Sequence, residues 1–343
     1  MTMYRELSEG PAVVVGLLKH AAAPIAAVAQ SIRGRDVRFV VIAARGTSDH
    51  AAVYAQYILG ARNGLPVALA APSLTSVYGT PPRLRDALVI GISQSGQSPD
   101  IVAVLADARR QGAITVALTN DPASALAAAA ETVVELSAGP ELATAATKTY
   151  VAEMTLVAML SAAISADAAS LAELQALPAM MREALADGDD VADVASRWAD
   201  VETCAILARG FQYATAREWA RKLKELAHVL ADPYSGADFE HGPIALVQPG
   251  FPIMAVATAG PLLPDMGVLL RRLRNDGARL LVLSDDASLR ALGDGMAVPQ
   301  GIPEWLAPIA SILPAFQFAY QLTRAKGLDT ELPRTITKVT LTR

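Results

Sequence analysis

The chain has 343 residues, of which 52% are apolar and 18% are charged, and its formal net charge is −5. At about 150 residues per domain this length predicts two domains, and the apolar content excludes wholesale disorder because it can build a large core. The acidic balance argues against a basic nucleic-acid-binding protein, and the single cysteine excludes an internal disulfide framework and a cysteine-rich zinc site.

The N-terminal segment, residues 1–34, is interpreted as a helical arm. Glu6 and Glu9 precede a short apolar run at 12–18, so a signal peptide is not expected. No uncharged apolar stretch reaches the length of about 18 residues that a membrane span needs. We therefore expect a cytoplasmic protein without a membrane partner. The two most apolar windows, interpreted as buried helices, are 154–166 and 307–322.

After the arm, short apolar runs alternate with helical patterns. Continuous apolar strands separated by helices are typical of a parallel sheet covered on both faces. The first series of strands is predicted near 38–44, 66–70, 87–92, 114–118 and 132–136. The helices between them are predicted near 49–62, 98–111 and 122–130, followed by a long helix near 141–165 and others near 169–186.

The chain repeats itself at an offset of about 165 residues. Residues 38–46 resemble 203–210, since each is an apolar run that ends in Arg-Gly. Residues 100–120 match 265–285, where a helical pattern, a Gly-Ala turn and an apolar strand follow one another. This predicts an α/β protein of two doubly wound, flavodoxin-like parallel-sheet domains related by an internal repeat. The predicted domains are 35–186 and 187–330, with a C-terminal tail at 331–343.

A polar loop at 93–98 follows the third predicted strand. Ser98 and Pro99 suit the N-cap and the first position of a helix, so this loop leads into a helix N-terminus. Ligands of doubly wound sheets bind beyond the carboxyl ends of the strands, and hydroxyls with free N–H groups suit a phosphate there. The alternative is an ordinary polar turn that caps a helix. The loop's candidate phosphate-binding residues are Ser93, Gln94, Ser95 and Ser98.

The internal repeat helps to choose between these interpretations. In the second copy, the positions that correspond to Ser93, Gln94, Ser95 and Ser98 hold Thr258, Ala259, Gly260 and Leu263 in that order. The scaffold is therefore repeated while most of the polarity is not. A purely structural turn would not need polarity in one copy only, so the comparison favours a phosphate site.

A second loop follows the first strand of the same predicted sheet. Gly46 permits close approach of the backbone, and Thr47 and Ser48 offer hydroxyls. Capping of the next helix by Ser48 or Asp49 is the alternative, and it does not exclude binding. His50 is interpreted as a helix-face residue rather than a catalyst.

The second copy carries its own charged residues. Lys222 and Glu225 lie three apart on a helix predicted at about 214–230, and a solvated ion-pair face is the usual explanation of that pattern. His241 is a lone histidine in a Gly/Pro loop, and Lys338 lies in a tail that would ordinarily fray. Residue chemistry alone leaves these as hints.

Six short motifs follow one another along the chain: Arg45-Gly-Thr-Ser48, Ser93-Gln-Ser-Gly-Gln-Ser98, Ala145-Ala-Thr-Lys148, Leu223-Lys-Glu225, Glu240-His-Gly-Pro243 and Lys338-Val-Thr340. In this order they resemble the motifs of the double sugar-isomerase (SIS) family, and the resemblance covers about residues 35–343. The chain is similar to the isomerase half of glucosamine-6-phosphate synthases, and closer to the glucosamine-6-phosphate deaminases built from that half alone.

The resemblance implies a role for each matching residue. Glu225 would be the base that moves a proton between C1 and C2, with Lys222 beside it to steer its charge. His241 would assist ring opening from the neighbouring subunit of a homodimer. Lys338 would lie in a tail that closes over the sugar and would handle its carbonyl group. The residues implied to hold the sugar 6-phosphate and the sugar are Gly46, Thr47, Ser93, Gln94, Ser95 and Ser98.

Some positions depart from the synthase pattern. The synthases have serine where Ala146 stands and usually cysteine where Arg45 stands, so these departures concern the identity of the sugar rather than the fold. The synthase's glutaminase nucleophile follows its initiator methionine, whereas Thr2 stands here and Cys204 falls in a predicted buried strand. We therefore expect no glutamine hydrolysis.

These features predict an enzyme that acts on a small-molecule sugar phosphate and needs neither a metal nor a cofactor. It would interconvert glucosamine 6-phosphate with fructose 6-phosphate and ammonia. One alternative substrate is galactosamine 6-phosphate, and another is a glycated amino-acid phosphate. A sugar-phosphate sensor without chemistry is an alternative of another class, although it would not need Glu225, His241 and Lys338.

Overall fold

The computed structural model describes residues 2–331 and 338. The chain forms two compact units. The N-terminal unit contains the described residues within 9–142, 146–175 and 337–343, and the C-terminal unit those within 1–8, 143–145 and 176–336. Each unit is built around its own five-stranded parallel sheet.

The sheet of the N-terminal unit has the strand order β2-β1-β3-β4-β5, and every neighbouring pair is parallel. Its central strands are continuous apolar runs buried on both faces, as helix-covered parallel strands require. The strands are β1 (Phe39–Ala44), β2 (Val67–Leu69), β3 (Ala87–Ile92), β4 (Ile114–Thr119) and β5 (Thr132–Glu135).

Eight helices precede, connect and follow these strands. Ile101 and Leu105 of α5 pack on Val89 and Ala117 in the core under one face of the sheet. On α7, residues 148–162 are all buried, and α7 packs against α2 and α3. The helices are α1 (Thr2–His20), α2 (Ala22–Gly34), α3 (Thr47–Asn63), α4 (Ser73–Ser76), α5 (Pro99–Arg110), α6 (Ala125–Ala129), α7 (Lys148–Ser165) and α8 (Ala168–Ala184).

The sheet of the C-terminal unit has the order β7-β6-β8-β9-β10, which repeats the order of the first sheet strand for strand. The strands are β6 (Thr203–Ala208), β7 (Leu230–Ser235), β8 (Pro252–Ala257), β9 (Arg279–Ser284) and β10 (Asp294–Ala297). The helices are α9 (Gly188–Arg197), α10 (Tyr213–Leu226), α11 (Gly236–Glu240), α12 (Leu263–Asn275), α13 (Ala287–Arg290) and α14 (Ala307–Ala325). The predicted pair of doubly wound domains related by a repeat is confirmed.

Three element boundaries differ from the sequence-based expectation. The long helix predicted from residue 141 begins at Lys148. Glu141 instead lies in the preceding loop, and its side chain accepts hydrogen bonds from backbone N–H groups at the helix N-terminus. The helix predicted to reach residue 230 ends at Leu226, after which His228 has a left-handed backbone with φ of 53°. Leu230 instead begins β7, whose Pro233 is tolerated because β7 is an edge strand.

Both apolar windows form buried helices, as expected. They correspond to α7 and α14, and α14 tolerates one proline in its first turn and another in its interior. No single helix among the described residues is long and apolar enough to cross a membrane, although α1 and α2, bent by 58°, meet that criterion as a pair.

Candidate functional site

Two loops follow adjacent strands at the carboxyl edge of the N-terminal sheet. Residues 45–46 follow β1, and residues 93–98 follow β3. From β1 the chain proceeds to β2 on one side, and from β3 to β4 on the other. The two loops therefore begin at the point where the strand order reverses, and this is the usual ligand crevice of a doubly wound sheet.

The loop at 93–98, here called the serine loop, is held by backbone hydrogen bonds. Gln94 O accepts from Asn120 N at 3.1 Å, and Gly96 O accepts from Leu126 N at 3.0 Å. Gly96 has a positive φ of 62°, and a Cβ there would lie 2.1 Å from Ser124 Oγ. Only glycine fits this turn, so the loop is fixed in position before any ligand arrives.

Three hydroxyls lie on this fixed loop. Ser93 Oγ accepts from Gly96 N at 3.1 Å, and Ser95 Oγ accepts from Gln97 N at 3.4 Å. Ser98 occupies the N-cap of α5, as expected, but its side chain makes no capping hydrogen bond. These serines and Gln94 are all partly exposed, so the loop can offer hydroxyl groups to an anion at a helix N-terminus.

The loop after β1 contributes one candidate hydroxyl rather than two. Gly46 has a φ of 64° and leads into α3, which begins at Thr47. Thr47 is partly exposed, whereas Ser48 is buried and donates to Glu153 Oε1 at 2.7 Å. Thr47 thus remains a candidate substrate-binding residue. Ser48 instead links the loop to the buried Glu153 carboxylate of α7.

The corresponding edge of the C-terminal sheet is filled by the protein's own side chains. Asp285 accepts from Ala259 N through both carboxylate oxygens, at 3.0 and 3.1 Å. A Cβ at Gly260 would lie 2.6 Å from the Glu304 side chain, and the remaining cavity is about 20 Å³. Such a space holds a water molecule but not a sugar phosphate. In this copy of the repeat, the less polar loop and the closed edge occur together.

A buried ionic cluster lies on α10 in the C-terminal unit. Lys222 Nζ lies 3.0 Å from Glu218 Oε1 and 2.9 Å from Glu225 Oε2, and Glu218 and Lys222 are fully buried. The solvated ion-pair face that the charge pattern favoured is therefore wrong for Lys222, and Glu218 on the same helix is equally buried. Glu225 differs, since 14% of its side chain is exposed and Arg221 Nε lies 2.7 Å from its Oε1.

The cluster also fixes the charge of its lysine. Burial alone would lower the pKa of Lys222, but the carboxylates of Glu218 and Glu225 outweigh burial and hold that pKa above its ordinary value. Lys222 is thus a permanent cation that orients Glu225. The arrangement presents one partly exposed carboxylate, Glu225, beside the buried Glu218–Lys222 pair.

Another buried carboxylate, Glu141, was not identified from the sequence. It accepts from Thr147 N at 2.9 Å, from Thr149 N at 3.1 Å and from Thr149 Oγ1 at 2.7 Å, and Lys338 Nζ lies 2.9 Å from its Oε2. Burial alone would raise the pKa of Glu141, but Lys338 and these hydrogen bonds outweigh burial and lower it. Glu141 is therefore an anion that holds Lys338 within the N-terminal unit.

The rest of the tail assigned to 331–343 lies outside the described residues, apart from Glu331 and Lys338. His241 is exposed at the end of α11 in the C-terminal unit. Among residues 2–331 and 338, no group of three or more His, Cys, Asp or Glu side chains is arranged to hold a metal ion. The structure thus brings Lys222 and Glu225 together on one helix, and Lys338 to Glu141.

Comparison with known proteins gives concordant matches. The SIS domain model matches residues 35–163 and 199–290. The glutamine–fructose-6-phosphate aminotransferase of Legionella pneumophila (strain Paris) is 34% identical over 313 residues, which cover 88% of this chain and 51% of that protein. The enzyme of the same name from Methanothermobacter thermautotrophicus is 32% identical over 308 residues, again 88% and 51%. The chain spans about half the length of these curated relatives.

Solved structures show the same fold. A Silicibacter pomeroyi protein proposed to be a phosphosugar isomerase aligns with a TM-score of 0.85 and 34% identity, over 96% of this chain and 99% of that one. The glucosamine-6-phosphate deaminase of Thermotoga maritima aligns over the whole of both chains with a TM-score of 0.78. At 15% identity, the deaminase shares the fold alone.

Proposed function

Since the chain belongs to the SIS domain family, we propose that it is a phosphosugar isomerase that also acts as a deaminase. It converts glucosamine 6-phosphate and water to fructose 6-phosphate and ammonia, and it catalyses the reverse reaction when ammonia is abundant. The observation that carries this proposal is Glu225, a carboxylate that Lys222 fixes in position while part of it stays accessible.

The chemistry needs a proton to move between neighbouring carbons. In the open-chain aldose, the C1 carbonyl makes the C2 proton acidic, and we assign its removal and its return to C1 to Glu225. The product of this transfer has an imine at C2. Water adds to that carbon, and ammonia leaves. We assign ring opening to His241 and contact with the sugar carbonyl to Lys338, as the family resemblance implies.

Substrate anchoring is assigned to the serine loop. A phosphate monoester is a dianion at neutral pH, and it suits hydroxyl and N–H donors at a helix N-terminus. The closed edge of the C-terminal sheet supports this assignment, because the same scaffold retains no room for a sugar phosphate there. The phosphate would hold the substrate while C1 and C2 react.

A substrate panel tests the proposal. The protein is incubated with glucosamine 6-phosphate, with galactosamine 6-phosphate and with non-amino aldose 6-phosphates, and ammonia and ketose phosphate are measured. Equal amounts of both products from glucosamine 6-phosphate are expected. Ketose phosphate formed only from a non-amino aldose would instead indicate a simple ketose/aldose isomerase. A thermal shift without any product would indicate a sensor.

The first prediction concerns the phosphate. Replacing Ser95 with alanine is expected to weaken binding of glucosamine 6-phosphate by about 1–3 kcal/mol, because a hydrogen-bond partner of the anion is lost. Titration calorimetry measures this change. The matched control is Thr258→Ala at the closed edge, where the hydroxyl accepts from Gln212 Nε2 and affinity should not change. Unaltered affinity in both Ser95→Ala and Ser93→Ala would contradict the assignment.

The second prediction concerns the tail. Removing residues 338–343 is expected to abolish turnover, because Lys338 and its contact with Glu141 are lost, and Lys338→Met alone should give the same result. Lys326→Met is the control, since that lysine binds the backbone carbonyl groups of Ala199 and Val201 and has no proposed role in the site. Steady-state ammonia release checks both. Normal turnover by the truncated protein would show that the tail is dispensable.

The assembly and the compartment remain predictions. A homodimer with shared active sites is proposed because the resemblance assigns His241 to the neighbouring subunit's site. Light scattering at assay concentrations measures the oligomeric state, and fully active monomer would contradict the proposal. The cytoplasmic location is likewise a proposal.

A further inference from the structure

The internal repeat preserves an arginine–aspartate pair at the strand edge of both units. Arg45, directly after β1, places Nε 2.8 Å and Nη2 2.7 Å from Asp100 Oδ2. Arg209, directly after β6, places Nη1 2.8 Å from Asp265 Oδ2. Each pair links the loop after the first strand of its sheet to the first turn of the helix after the third.

The two pairs differ in burial. The Asp265 side chain is 64% exposed, so water can solvate its charge, whereas the Asp100 side chain is fully buried. Asp100 is the second residue of α5 and lies two residues after Ser98 of the serine loop. The first copy therefore places a buried negative charge beside its proposed anion site, and the second copy does not.

A buried carboxylate in that position opposes phosphate binding. Like charges repel more strongly where water is excluded, and the charge of Asp100 would also offset the positive end of the α5 dipole. The other oxygen of Asp100 accepts from Ile101 N at 2.9 Å, so the carboxylate is held in place and cannot turn away. Phosphate binding therefore needs a cation that cancels this charge.

We infer that Arg45 determines the affinity of the serine loop for phosphate by neutralising Asp100. A guanidinium is protonated at every physiological pH, so the cancellation is permanent. The Arg45 side chain is 49% exposed, and its contacts with Asp100 use two of its five N–H donors. The inference rests on the proposed phosphate site, and it assigns a function to the position at which the resembling synthases usually have cysteine.

The test separates neutralisation of charge from a purely structural link. Inorganic phosphate and glucosamine 6-phosphate are titrated by calorimetry into the wild-type protein, Arg45→Gln, Asp100→Asn and the double variant. Arg45→Gln should raise the Kd for phosphate about 10-fold or more, since the charge of Asp100, two residues after Ser98, is then no longer cancelled. The effect should fall on KM rather than on kcat. The double variant should bind within about 3-fold of wild type, because both charges are gone.

Two further variants complete the test. Arg45→Lys loses the two-pronged contact but keeps a positive charge, so it should bind phosphate within about 3-fold of wild type if neutralisation of Asp100 is what matters. Arg209→Gln breaks the equivalent pair at the closed edge and should leave phosphate affinity unchanged. A double variant as weak as Arg45→Gln, or equal losses in Arg45→Lys and Arg45→Gln, would overturn the inference. Thermal unfolding of each variant identifies any variant that fails to fold. If Arg45→Gln or the double variant does not fold, the phosphate affinity of Arg45→Lys decides the outcome.

The outcomes also distinguish this inference from the proposed function. Binding of inorganic phosphate does not depend on turnover. If the variants follow the expected order while no sugar phosphate is converted, the proposed reaction is wrong and the role of Arg45 stands. If the protein converts glucosamine 6-phosphate but Arg45→Gln binds phosphate as wild type does, the inference alone fails.

Discussion

Glu225→Gln is expected to lower kcat by about 10²–10⁴-fold while glucosamine 6-phosphate still binds, since general-base catalysis contributes an effect of this size. Glutamine keeps the shape of the side chain and can still accept a hydrogen bond from Lys222, but it cannot take a proton from C2. Steady-state ammonia release gives kcat, and calorimetry gives the affinity. Near-normal ammonia release by this variant would show that another group moves the proton.

Glu218→Gln is the comparison variant for this experiment. Glu218 contacts the same Lys222 Nζ, but its side chain is fully buried, so it has no access to a substrate. Its replacement should lower the free energy of unfolding by more than it raises the activation free energy that kcat reports. Equal losses of kcat in the two variants would mean that the cluster acts only by holding α10 in place.

Lys222→Met is expected to destabilise the protein by about 3–5 kcal/mol, because it breaks a buried ion pair by removing one partner. Glu218 would lose its contact with Lys222 while its side chain is fully excluded from water. Urea denaturation measures the free energy of unfolding. The double variant Glu218→Gln with Lys222→Met should recover most of the loss, since no unpaired buried charge remains.

Lys224→Met provides the matched control for Lys222→Met. Lys224 lies on the same helix and is exposed, so its replacement should change the free energy of unfolding by less than about 0.5 kcal/mol. If Lys222→Met costs no more than Lys224→Met, the ionic cluster does not stabilise α10. That result would also remove the physical basis for a fixed Glu225.

The features that the sequence did not predict share one property, which is dependence on side chains distant in the sequence. The charge pattern of α10 is amphipathic and suits a solvated face, and only the surrounding packing excludes water from Glu218 and Lys222. Glu141 also contacts Thr147 and Thr149 nearby, but its contact with Lys338 spans 197 positions of the chain. The closure at Gly260 similarly depends on Glu304, which follows it by more than 40 residues.

The sequence by itself determined the two doubly wound sheets and the position of the serine loop. Continuous apolar strands, glycine turns and a proline at the start of a helix are local signals. The same pattern of signals occurs in both copies of the repeat. These features could therefore be predicted without knowledge of distant contacts. Tertiary structure alone decided which charges are buried. The repeated arginine–aspartate pair looks alike in both copies of the sequence, yet Asp100 is excluded from water and Asp265 is not. Solvation of a charge depends on everything packed around it, and the chain's local pattern does not contain that information.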